Sequence, residues 1–185
     1  MMRKNILLEY AHALLKVHLT KDDVVVDATM GNGHDTYFLS QIAKEVYAFD
    51  IQQEALIETK KKVQGLDHVH LILDSHENML NYVSDFKGVI FNLGYLPQGD
   101  PSITTQSETT IKTLNLLLPH IKKDGFIQIV CYPGHPEGKK ESDCIQTWIK
   151  TLPNYRYQVI HAHFENEEKN PPYLIMISKT KDESH

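Results

Sequence analysis

Five short runs of apolar and β-branched residues recur along this chain, each followed by a segment of helical spacing. That alternation leaves little choice of fold. The runs are VVVDA (24–28), VYAFD (46–50), VHLIL (69–73), GVIFNL (88–93) and FIQIVC (126–131), and helix-like stretches occupy 35–44, 53–63, 76–83 and 106–120. A strand that joins a parallel neighbour needs a crossover, which a helix supplies, so the pattern predicts a parallel sheet with helices on both faces. The right-handed crossover rule reduces the possible topologies to a handful.

The C-terminal part breaks the alternation. A helix near 140–151 is followed by YRYQVIHAHF (155–164), a polar ENEEKNPP connection and YLIMISK (173–179), which reads as an antiparallel pair. The whole is an α/β chain: a seven-stranded, mostly parallel sheet with an antiparallel C-terminal strand. This is the Rossmann-like architecture of class I methyltransferases rather than that of dehydrogenases. At 185 residues the chain fits one domain, 1–185, with a frayed tail from 180 onward. Near the start, Ile6, Leu7, Tyr10, Ala11, Leu14, Leu15 and Val17 fall at helical spacing, interrupted by Glu9, His12 and Lys16. The stretch 1–20 therefore reads as an amphipathic helix packed on the domain, not as a signal peptide or membrane span. Cys131 and Cys144 have no CxxC spacing and are expected as free thiols in a reducing cytoplasm.

The turn after the first strand carries the chemistry. In VVVDATMGNG (24–33), an acid ends the strand and Gly31 and Gly33 follow, so a nucleotide-like ligand can approach the backbone without meeting a Cβ. Asp27 argues for a ligand with an ammonium, as in S-adenosylmethionine (SAM), since a dinucleotide pyrophosphate there would be repelled. Asp50, ending the second strand, can accept both ribose hydroxyls, and Ile51 can pack on adenine. Asp74, with Ser75 and His76, ends the third strand within reach of the adenine edge. Capping of the following helices is the plainer role for Asp50 and Asp74. Thr29 stands where methyltransferases have their first turn glycine, and Thr36 where the dinucleotide motif has its third. The predicted SAM contacts are Asp27, Thr29, Met30, Gly31, Asn32, Gly33, Asp50, Ile51, Asp74, Ser75, His76 and Asn92.

The fourth strand runs into NLGYLP (92–97), at the place where amine-methylating class I enzymes carry [Asn/Asp]-Pro-Pro-[Tyr/Phe]. Asn92 and Tyr95 are kept and the prolines are not. Methyl transfer requires an in-line approach, a free lone pair and exclusion of water, with the acceptor amine neutral. After the fifth strand, CYPGHPEG (131–138) is a proline- and glycine-shaped loop on the same side of the sheet. Asn92, Tyr95 and His135 are the catalytic candidates, His135 as either a general base or a binding residue. Tyr95, Pro97, Tyr132, Pro133, Gly134 and His135 are expected to grip the acceptor, with Lys139 and Lys140 on phosphates. The net charge of −5 argues against nonspecific coating of nucleic acid but leaves room for such a local patch. His161 and His163 share a strand face without a third ligand, so no metal site is predicted.

DATMGNGHDT (27–36), NLGYLP (92–97) and YPGHPEG (132–138) together resemble one small family along nearly the whole chain. It is the group long labelled rRNA methylases, whose characterised activity is on tRNA: transfer of a methyl from SAM to the 5-aminomethyl group of the wobble (2-thio)uridine. The resemblance implies a stand-alone class I fold, a tRNA anticodon loop as partner and a homodimer; the N-terminal pattern, read above as neither signal peptide nor span, leads to the expectation of a cytoplasmic location without membrane attachment. An rRNA or small-amine methyltransferase, and a SAM- or nucleotide-binding module without catalysis, remain the alternatives.

Overall fold

The computed structural model describes residues 5–94, 107–167 and 169–182. Strands β1 (Val24–Asp27), β2 (Glu45–Asp50), β3 (Val69–Leu73), β4 (Gly88–Leu93), β5 (Phe126–Cys131), β6 (Tyr157–Ala162) and β7 (Tyr173–Lys179) form one sheet in the order β3-β2-β1-β4-β5-β7-β6. The pairings among β1 to β5 are parallel, whereas β7 runs antiparallel to both β5 and β6. The fold expected from the sequence is the one observed.

Strand residues alternate between two apolar layers, as a sheet covered on both faces requires. Val26, Phe91, Ile127 and Ile129 join one core with Leu114, Leu117, Ile145 and Trp148, from α4 (Ser107–Leu117) and α5 (Pro136–Ile149). Val25, Ile90 and Phe126 face the other way, against Leu15 of α1 (Ile6–His18) and Leu39 of α2 (His34–Ser40). Helix α3 (Gln53–Lys62) adds Ala55 beside Met30 and Ala48. Among the described residues no helix is long and apolar enough to cross a membrane.

Helix α1 buries Leu7, Ala11 and Leu15, while Ile6, Tyr10 and Val17 of its apolar set face outward. Each buried leucine contributes roughly 1.5–3 kcal/mol. A polar tie is added by Gln128 on β5, which donates to the Ala11 carbonyl at 3.1 Å while 2% exposed. Three local expectations are corrected. The stretch 76–83 is a 3-10 turn over His76–Asn81, capped by the Ser75 hydroxyl accepting from Glu77 N–H. The helix expected from 140 begins at Pro136, because His135 caps it and a proline at the first position is preorganised for a helix. The strand expected over 155–164 is confined to Tyr157–Ala162.

Candidate active site

The carboxyl ends of β1, β2 and β4 converge around the turn 28–33. Gly31 and Gly33 both have positive φ, +49° and +74°. A Cβ on Gly33 would lie 2.7 Å from Thr59 Oγ1, so the turn needs glycine for conformation and for space. Thr59 on α3 also donates its hydroxyl to the Gly31 carbonyl at 3.0 Å.

Asp27 is completely buried beneath this turn. Thr36 donates its hydroxyl to one carboxylate oxygen at 2.7 Å and Thr29 N–H donates to the other at 3.2 Å. Burial first, and then the nearby Asp35 charge, push the Asp27 carboxyl up to about 7. The carboxylate has no surface to offer a ligand ammonium in this conformation; it braces the loop from behind. Thr36, which replaces the third glycine of the dinucleotide motif, is the donor that Asp27 needs.

Asp50 is half-buried at the end of β2, accepting from Gly31 N–H and Gln52 N–H at 3.0 Å each, and burial raises its carboxyl above the ordinary range. Ile51 beside it is 61% exposed. Asp74 does not cap the turn that follows, a role Ser75 takes; instead Asn78 Nδ2, Tyr82 Oη and Ser75 N–H all donate to it, and those hydrogen bonds lower its carboxyl below the usual range. His76 points away from the turn. It is buried edge-on to Phe91, with Nδ1 3.0 Å from Thr113 Oγ1, and burial pushes it down to about 4. Its expected place at an adenine edge is thereby corrected, because the 3-10 turn rotates the ring inward.

Asn92 joins this turn to a second space. Its N–H donates to Thr29 Oγ1 at 2.7 Å, and its side-chain Nδ2 donates to Asp35 Oδ2 at 3.1 Å. A cavity of about 620 Å3 opens beside it, walled by Gly94 after β4 and by Tyr132, Gly134 and His135 after β5. The opposite wall is the β6–β7 connection, with Glu167, Lys169, Asn170, Pro171 and Pro172. Tyr132 shares a side-chain hydrogen bond with Asn92; burial, reinforced by Asp35, pushes its hydroxyl up to about 12, so it stays neutral.

His135 lines the cavity but caps α5, its Nδ1 accepting from Gly138 N–H at 3.1 Å. With Nδ1 accepting, the ring proton is on Nε2, which makes His135 a donor in this state and not a ready base. Gly138 permits this, since a Cβ there would meet the Tyr132 carbonyl oxygen at 2.1 Å and His135 Nε2 at 2.6 Å. Lys139 is exposed and paired with Asp143 at 2.9 Å, one turn along α5, and Lys140 is exposed; neither lines the cavity. Tyr95 and Pro97 lie outside the described residues.

Sequence reading missed His12, Asp35 and the β6–β7 wall. The wall had a signal: Asn170-Pro171-Pro172-Tyr173 spells the amine-methylase quartet, but ahead of β7 instead of after β4. Asn170 has φ +39°, and its carbonyl oxygen is 3.9 Å from where a Gly134 Cβ would lie, so the two loops meet across the cavity.

The strand order, with its antiparallel β7, and a glycine turn at the end of β1 define a class I methyltransferase fold. The family model described as "Putative rRNA methylase" matches residues 46–178, and the chain belongs to that family. A solved "putative rRNA-methylase" from Clostridium thermocellum is 38% identical with a TM-score of 0.89, covering 97% of this chain and 100% of its own. A "putative methyltransferase" from Streptococcus mutans, solved in complex with SAH, is also 38% identical, with a TM-score of 0.87 over 97% of this chain and 99% of its own. The chloroplastic tRNA (mnm(5)s(2)U34)-methyltransferase of Arabidopsis thaliana is 34% identical over 162 residues, 78% of this chain. The chain spans 59% of that relative's length.

Proposed function

We propose that this chain is a SAM-dependent N-methyltransferase that converts the 5-aminomethyl group of the tRNA wobble (2-thio)uridine to 5-methylaminomethyl. The observation that carries this reading is Asn92, whose main chain is tied to the glycine turn and whose side chain borders the adjoining cavity. The Arabidopsis relative, named for the same nucleoside, supports the choice of acceptor.

The turn fits SAM. Gly31 and Gly33 leave two of its positions without a Cβ, the half-buried Asp50 carboxylate suits a pair of hydroxyls, and the exposed Ile51 suits an adenine face. When bound, SAM would supply a sulfonium methyl that the amine lone pair attacks in line, the C–S bond breaking so that S-adenosylhomocysteine leaves as a neutral thioether and the methylated ammonium gives its proton to solvent. The chain's own residues hold the acceptor. Asn92 Oδ1 accepts an N–H of the amine, so that its lone pair faces the donor, and Tyr132 and the Asn170-Pro171-Pro172 wall enclose the nucleobase and exclude water. Lys169 at the cavity wall is better placed for a phosphate than Lys139 or Lys140. Asp27 holds the turn in shape. A homodimer would give the anticodon loop a second wall, and sedimentation with and without tRNA measures it.

The acceptor is tested by nucleoside mass spectrometry of tRNA from a strain lacking this chain. The 5-aminomethyl nucleoside should accumulate and the 5-methylaminomethyl form disappear. Unchanged tRNA beside undermethylated rRNA, or beside an unmethylated small amine, would move the activity to that acceptor.

A further inference from the structure

An amide side chain can present either end to a substrate, and the amine-binding role of Asn92 requires the carbonyl end. Nothing on β4 fixes that choice. The structure places the determinant on two other elements. Asp35, in the first turn of α2, accepts from Asn92 Nδ2 at 3.1 Å with one carboxylate oxygen, and its other oxygen is 2.6 Å from His12 Nε2 on α1. The hydrogen bonds from His12 and Asn92 outweigh burial and hold the Asp35 carboxyl below the usual range. An ionised carboxylate only accepts hydrogen bonds, so it must face the NH2 end of the amide, which sends Oδ1 the other way.

His12 is itself fixed. Its ring stacks on Phe38 of α2 at 3.8 Å between centroids and 6° between planes. Helix α1 is held to the sheet by Leu7, Leu15 and the Gln128–Ala11 hydrogen bond. The contacts therefore run from α1 through α2 to the end of β4. The His12–Asp35 hydrogen bond, with side chains only 29% and 18% exposed, is largely shielded from solvent.

We propose that Asp35, clamped by His12, is the positioning residue that sets the Asn92 amide with its carbonyl toward the acceptor, and that α1 is thereby part of the active site. The kinetic part rests on the amine-methylation reading of Asn92; the amide orientation does not.

The test uses the full chain labelled with 15N, the Asn92 side-chain signals being assigned by their loss in Asn92→Ala. In the wild type these NH2 protons should exchange slowly with solvent. In Asp35→Ala they should shift and exchange fast, while the fold and SAM affinity measured by calorimetry persist. His12→Phe, which keeps a ring to stack on Phe38, should shift them in the same direction by less. On tRNA, Asp35→Ala should lower kcat about 100-fold with KM changed much less, as expected for a misaligned acceptor. Asp35→Ala/Asn92→Ala should be no slower than Asn92→Ala alone, to within about twofold, because residues acting as one unit are not additive. Unmoved Asn92 signals in Asp35→Ala overturn the proposal whatever the substrate, and so do additive losses in the double variant. If tRNA is not methylated at all, the substrate reading fails while the amide signals still decide the positioning role.

Discussion

The main-chain N–H of Asn92 donates to the Thr29 hydroxyl at 2.7 Å, fastening the end of β4 to the turn after β1. Thr29 occupies the place of a glycine in the usual methyltransferase turn, and this bond gives its side chain a purpose. A movement in either segment is felt by the other, so a donor held at the turn and an acceptor held beside Asn92 would share one support.

Asn92→Ala separates the two sites. The main-chain bond to Thr29 survives the substitution, so SAM affinity by calorimetry should stay within about threefold, while kcat falls about 100- to 1,000-fold, the cost of one orienting polar group. Loss of SAM affinity instead would place the Asn92 side chain in the donor site.

Gly33→Ala and Gly65→Ala compare a clash with backbone strain. Both glycines have positive φ, +74° and +79°, but only at Gly33 would a Cβ meet other atoms, those of Thr59 at 2.7–2.9 Å. Gly65→Ala should cost about 1–2 kcal/mol in denaturant unfolding and leave SAM binding intact. Gly33→Ala should cost more and abolish SAM binding, because Thr59 also holds the Gly31 carbonyl.

Asp27 gives the fold a pH signature. Its carboxyl is raised from an ordinary 3.8 to about 7, so between those values the folded chain holds a proton that the unfolded chain has lost. Stability from this group therefore falls as pH rises from about 4 to 7, by an amount on the order of 4 kcal/mol at most. Asn mimics the protonated acid, and the melting temperature of Asp27→Asn relative to wild type should rise steadily from pH 4 to 8. His76, lowered to about 4, works oppositely in both proteins, removing stability as pH falls below 6.5, and cancels in the difference. A flat difference would mean that Asp27 is ionised throughout.

Gly138→Ala addresses the acceptor wall alone. The new Cβ would collide with the Tyr132 carbonyl and the His135 ring, so the loop must open. kcat/KM for the acceptor should drop at least about tenfold with SAM affinity unchanged. A parallel loss of SAM binding would show that the two loops are not independent.

The strands and the mostly parallel sheet were legible because buried parallel strands are near-continuous apolar runs punctuated by helices. The glycine turn was legible because it follows a strand directly, and Asn92 because it stands one residue before the end of another. The partners of those residues were not. Asp35 lies 57 residues from Asn92 along the chain and His12 lies 80, and the packing of α2 and then α1 on the sheet brings them into line. The 3-10 turn at His76 was hidden too: i+3 and i+4 spacings look alike over six residues, and the difference turned a predicted ligand contact into a core residue. The cavity wall at Asn170 belongs to the β6–β7 connection, far along the chain from any of the strand ends that marked the rest of the site.

Methyl transfer to one exocyclic amine is the reaction proposed for this chain. Purified chain, SAM carrying a deuterated methyl group and tRNA bearing the 5-aminomethyl nucleoside test it directly, with digestion and fragmentation to locate the label. Label should appear on the exocyclic nitrogen of the wobble uridine, and far more slowly with Asn92→Ala. Label on a ring nitrogen, on a ribose or on another position of the tRNA would contradict it.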